Sequence, residues 1–122
     1  MGVDFGCGDK SIHMSYGRFS QLRVELAKMI SPTFGADYDS FLHSYGIATT
    51  ESYLRSSVFI PKKVLNFFLR SDCDGYCPYT VSRYFYNLLS ISSATEIAGI
   101  SVADLMEIFK ISYTTKQEVW WC

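Results

Sequence analysis

From Gly17 to Ile30 the apolar residues Phe19, Leu22, Leu26, Met29 and Ile30 recur at three- and four-residue spacing. A helix satisfies that period by placing them on one stripe, with Arg18, Arg23, Glu25 and Lys28 on the remainder of its surface. Ser31-Pro32 ends the helix, because the residue before a proline avoids helical backbone angles. The chain must therefore supply partners that cover a long amphipathic helix.

Before Gly17 the period is two. Ser11-Ile12-His13-Met14-Ser15 alternates, so Ile12 and Met14 share one face while His13 lies on the other. A strand near 2–6, a turn over Gly6–Lys10 and a second strand near 11–15 follow. Beyond Pro32 a shorter helix is expected over Asp37–Tyr45, with Tyr38, Phe41, Leu42 and Tyr45 inward, ended by Gly46. Thr49 and Thr50 suit the start of a short helix through Leu54, and Val58-Phe59-Ile60 reads as buried and extended. Pro61 suits a first helical position, with Val64, Leu65, Phe68 and Leu69 inward as far as Arg70. Pro78 opens another helix, with Val81, Tyr84, Phe85, Leu88 and Leu89 inward. Ser101 caps a last one carrying Val102, Leu105, Ile108 and Phe109. Whether Thr95–Ala98 adds a helical turn is open. The tail Glu118–Cys122 has strand composition. Pairing it with the N-terminal strands gives an α+β fold of four to five helices and a small sheet; the alternative is all-α with ordered ends.

A chain of 122 residues fits a single domain, 1–122, since two cores of half that size would be marginal. Hydrophobic residues at 48%, with nine Phe, nine Tyr and two Trp, suffice for one core. A net charge of −1 without a basic stripe argues against nucleic acid as a partner. No apolar run approaches the roughly 20 residues that span a bilayer. The first residues show no secretory signal, and Gly6 stands where a myristoylation pattern needs Ser or Thr. The expected location is the cytoplasm, where Cys7, Cys73, Cys77 and Cys122 would be reduced.

The densest group of site-type residues is Ser71-Asp72-Cys73-Asp74-Gly75, between two helical patterns. Asp-x-Asp-Gly matches part of a calcium loop, but Arg70 and Val81 occupy the first and last ligand positions and cannot serve. The residue types suit a tight interhelical turn, with Asp bonding the backbone and Gly75 supplying positive φ. Cys73 and Cys77 have the spacing of a zinc half-site. The other half would need Cys7, His13, His43 or Cys122 to be gathered by the fold. Flanked by two carboxylates, Cys73 is poorly placed to form a thiolate nucleophile. His13 is the best-placed general base, and Asp72 and Asp74 are the other catalytic candidates. No cofactor motif is present. An aromatic surface drawn from Tyr16, Tyr76, Tyr79, Trp120 and Trp121 would suit a protein partner.

Three segments together resemble a group of small uncharacterised, mainly bacterial proteins. These are Met1-Gly2-Val3-Asp4-Phe5 with His13-Met14-Ser15-Tyr16-Gly17-Arg18-Phe19, then Ser71–Gly75, then Val119-Trp120-Trp121-Cys122. The resemblance covers both ends and the centre, and directs attention to His13, Ser15, Tyr16, Asp72, Cys73, Asp74 and Cys122. It implies no activity. The chain departs from the group's pattern at Leu69-Arg70, where a His is usual, and at Tyr79-Thr80-Val81, where acidic residues are. The leading expectation is a non-catalytic protein-binding module, in an oligomeric state the sequence does not reveal. The alternative is a metal-dependent or small-molecule-processing enzyme with a pocket between His13 and the Asp72–Asp74 loop.

Overall fold

A computed structural model describes residues 2–42, 60–71 and 73–122. The chain opens with a hairpin, β1 (Val3–Cys7) and β2 (Lys10–Met14), then runs through helices α1 (Tyr16–Ile30), α2 (Pro32–Leu42) and α3 (Lys62–Leu69). Strand β3 (Gly75–Cys77) and helix α4 (Tyr79–Ser90) follow. A two-residue-per-strand hairpin, β4 (Glu96–Ile97) and β5 (Ile100–Ser101), leads into α5 (Val102–Thr115), and β6 (Val119–Trp121) ends the chain. The fold is α+β, so the all-α alternative is set aside. The tail pairs antiparallel with β1, as expected, and the sheet order is β2-β1-β6-β3.

The fourth strand was not expected. Gly75–Cys77 is strand rather than turn, paired antiparallel with β6 through Gly75↔Trp121, Tyr76↔Trp120 and Cys77↔Val119. Gly75 has no positive φ; its role is to admit Trp121, whose ring leaves no room for a Cβ there. Thr95–Ala98 is not helical either. Ala98 and Gly99 both take positive φ, 53° and 76°, between the paired Ile97 and Ile100, the backbone signature of a two-residue hairpin turn. Helix α2 begins five residues before the expected Asp37. Ser31-Pro32 stops α1 and also starts α2, with Pro32 at its first position and the Ser31 hydroxyl accepting from Phe34 N–H. Leu42 is exposed rather than inward. The expectations for 43–59, including Tyr45, Gly46 and the short helix from Thr49, lie outside the described residues, as does Asp72.

Trp121 is fully buried at the centre of the core. Its ring lies 5.4 Å from Phe19 of α1, 5.4 Å from Phe67 of α3 and 6.1 Å from Phe5 of β1. Phe67 continues the contact to Phe85 of α4 at 4.6 Å, and Phe85 to Phe109 of α5 at 5.4 Å. One chain of rings thus joins the sheet to four helices, with Phe5–Trp121 and Phe85–Phe109 stacked and the other pairs tilted or edge-on.

Arg23 is buried, not on the solvated side of α1 as its charge suggested. Its guanidinium donates to the carbonyls of Phe67, Phe68 and Arg70 at 3.2, 3.4 and 2.8 Å. These are the orphan acceptors at the C-terminus of α3, where the helix dipole also favours a cation. The Tyr38 hydroxyl donates to Phe68 O as well, at 2.9 Å. The end of α3 is thereby tied to α1 and α2, which fixes where Arg70 leaves the helix.

Candidate functional site

Along the sheet, Val3, Phe5, Cys7, Cys77, Val119 and Trp121 turn inward and are buried. The alternate positions form the opposite face. Asp4, Ser11, His13 and Tyr76 are exposed there, Trp120 is half-buried, and Cys122 is exposed just beyond β6. Cys122 extends the β6 pairing by one residue, exchanging backbone hydrogen bonds with Asp4 at 2.9 and 3.1 Å.

On the β3–β6 half of this face lies a cleft of about 450 Å³, lined by Arg70, Asp74, Gly75, Tyr76, Glu118, Trp120, Trp121 and Cys122. The Arg70 guanidinium sits over the Tyr76 ring, 3.9 Å from its centroid. Among the described residues it has no ion-pair partner, and its Nε is buried without a hydrogen-bond acceptor. Leaving such a group unsatisfied costs on the order of 1–3 kcal/mol.

His13 is not in this cleft. It stands on β2, the far edge of the sheet, with β1 and β6 between it and β3. Three strand spacings of about 4.8 Å put it roughly 14 Å from the β3 edge. Its partner is local: Nδ1 lies 2.7 Å from Asp4 Oδ1, and both side chains are exposed. Asp4 can orient the imidazole, but the fold does not place Asp74 against it. The expected pocket between His13 and the Asp72–Asp74 loop is therefore replaced by a cleft that joins Asp74 to Arg70, Glu118 and Trp120.

The binding candidates also separate. Tyr76 and Trp120 face each other across β3 and β6 in the cleft. Tyr79, at the start of α4, is exposed, and Tyr16, at the start of α1, is half-buried; neither lines the cleft. Trp121 cannot serve as a surface anchor, because its alternation with Trp120 turns it into the core. Sequence reasoning missed Arg70 and Glu118. Arg70 entered as a helix end, as a residue unfit for calcium and as a departure from the resembled pattern, never as a binding residue, and its meeting with Tyr76 depends on a strand at Gly75–Cys77 that composition did not signal.

The cysteines divide by face. Cys73 and Cys122 are exposed, whereas Cys7 and Cys77 are buried. Cys73 and Cys77 therefore do not form a half-site, and among the described residues no three His, Cys, Asp or Glu side chains gather as metal ligands. Cys77 Sγ lies 3.7 Å from the Ser82 hydroxyl, which is 2.7 Å from that of Ser112; Ser112 in turn donates to Gln117 O. Burial pushes the Cys77 thiol up to about 12 from 9.0, against the opposing pull of the Ser82 hydrogen bond and the Arg70 charge. Burial raises Cys7 too.

Two outcomes follow from this division. At pH 8, Ellman's reagent should titrate two thiols in the native protein and all four after denaturation. Rapid reaction of a third would mean that the inward face opens. Above pH 9 the unfolded chain loses the Cys77 proton while the folded one keeps it until about 12. The folded state then binds more protons, so stability is full below pH 9 and falls as pH rises through this window. The limiting slope is about 1.4 kcal/mol per pH unit. Urea midpoints measured from pH 8 to 10.5 should fall more steeply for the natural chain than for Cys77→Ala; identical slopes would show that the thiol is not held neutral.

No described helix is long and apolar enough to cross a membrane. No protein-family model, curated protein or solved structure matches the chain, so the cleft and its chemistry stand on this structure alone.

Proposed function

We propose that the protein is a non-catalytic binding module that takes a protein partner on the outer face of its sheet, at the cleft between Arg70, Tyr76 and Trp120. The observation that carries this reading is the Arg70 guanidinium stacked 3.9 Å over Tyr76, beside a half-buried Trp120. Trp, Tyr and Arg are the residue types that supply most binding energy at protein interfaces. An arginine already held by a ring loses less freedom on binding than a free one. The catalytic reading has less support. Asp4 orients His13, but β1 and β6 separate that pair from the cleft.

The test is capture of partners from a lysate by the natural chain and by a Tyr76→Ala/Trp120→Ala double variant, followed by hydrogen exchange with the leading partner in purified form. The expected result is loss of that partner from the double variant, with protection in Gly75–Cys77 and Val119–Trp121. Protection confined to other elements would overturn the assignment.

A further inference from the structure

We infer that the cleft accepts an extended peptide segment carrying an acidic side chain two residues from a basic one; this rests on the binding-module reading of the same surface. The acidic half follows from Arg70. Its guanidinium is oriented by Tyr76 and, among the described residues, has no carboxylate within ion-pairing distance. A guanidinium presents parallel N–H donors that match a carboxylate, and stacking through its face leaves the in-plane edge for that purpose.

The basic half follows from the other charges. Asp74 and Glu118 line the same cleft, so its wall carries two acidic side chains and one basic one. A purely anionic occupant, such as a phosphate, would satisfy Arg70 but meet two carboxylates. An occupant with both signs satisfies each side. In an extended chain, side chains two residues apart project to the same side, about 6.5–7 Å from one another. That is the scale on which one segment can reach separate groups within a cleft of about 450 Å³.

The extended conformation has its own support. Strand β3 is a sheet edge: it pairs with β6 and, among the described residues, with no strand on its other side. An incoming segment can align its backbone there while its side chains enter the cleft. The cleft lies on an open sheet face rather than in an enclosed cavity, which suits a segment of chain better than a free amino acid.

The test uses the intact protein and a displayed library of random linear twelve-residue peptides, with Arg70→Gln, Arg70→Lys, Trp120→Ala and Asp74→Asn/Glu118→Gln variants confirmed as folded by circular dichroism and urea midpoint. Enriched peptides should carry Asp or Glu two positions from Lys or Arg. Synthetic copies should bind Arg70→Gln at least tenfold more weakly, with Arg70→Lys between it and the natural chain. The Asp74→Asn/Glu118→Gln variant should lose the preference for the basic residue. Peptides that lack acidic residues, bind Arg70→Gln unchanged and fail on Trp120→Ala would overturn this ligand class while leaving the binding-module reading in place. Failure to enrich any peptide would overturn the extended-segment claim, and the capture experiment would then judge the module reading separately.

Discussion

Trp121→Ala is expected to destabilise the protein by about 3–5 kcal/mol, the range for emptying a large aromatic site in a core that cannot collapse around it. A small domain has about 5–15 kcal/mol in all, so this single truncation would leave the fold marginal. The side chain is wholly buried, its ring touches Phe5, Phe19 and Phe67, and its indole Nε1–H donates to Ser71 O at 2.8 Å. Removing it opens a cavity among elements distant in sequence and strips the Ser71 carbonyl of its donor. The adjacent Trp120→Ala should cost under about 1 kcal/mol, since that ring is half-buried on the outer face. Urea unfolding of the two variants measures the contrast. Similar losses from both would mean that the tail does not alternate as described.

That contrast separates what the sequence could reveal from what it could not. The stripe of α1, the alternation of β2, Pro61 before α3, Pro78 before α4 and the Ser101 cap of α5 are local signals, and each element stands within a few residues of where they put it. The pairing of the two ends was also accessible, because Glu118–Cys122 has strand composition and an N-terminal hairpin offers an edge. Strand β3 was hidden. Its three residues, Gly-Tyr-Cys, carry no period, and they follow a stretch whose Asp and Gly chemistry favours a turn. What makes them a strand is β6 arriving from more than forty residues away. Arg23 was misplaced for a related reason. A charge on an amphipathic helix is assigned to solvent unless the acceptors that justify its burial are known, and those are carbonyls of α3.

The same long-range pairing brings residues of the opening, central and closing segments to one place. Phe5 and Phe19 come from the opening segment, Ser71 and Gly75 from the central one, and Trp121 from the last. The first four meet at the indole of Trp121. In this fold their role is packing. The residues of chemical interest are those the packing leaves on the other side of the strands: Arg70, Asp74, Tyr76, Glu118 and Trp120. The central motif therefore has two faces. Ser71 and Gly75 serve the core, Asp74 serves the cleft, and Asp72 lies outside the described residues.

Gly75→Ala should be the most damaging small substitution in that motif, with a cost of about 3 kcal/mol, at the upper end for overpacking a core by one methyl. A Cβ on Gly75 would stand 2.4 Å from Trp121 Cζ2, 2.5 Å from Cε2 and 2.7 Å from Nε1. The indole cannot retreat, because Phe5, Phe19 and Phe67 hold its ring and Ser71 O holds its N–H. The cost is one of close approach, not of backbone angle, and Gly8 provides the control. Gly8 has φ of 59°, yet a Cβ there meets nothing closer than 3.8 Å, so Gly8→Ala should cost only about 1 kcal/mol from backbone strain. A double-mutant cycle isolates the clash. Leucine at 121 lacks the indole atoms that a new methyl would meet, so Gly75→Ala should cost about 2 kcal/mol less in a Trp121→Leu background than in the natural chain. Additive losses would mean that the methyl is resisted by something other than the indole. The glycine of the central motif would then owe its place to the loop after all, and not to the tryptophan that the far end of the chain inserts beside it.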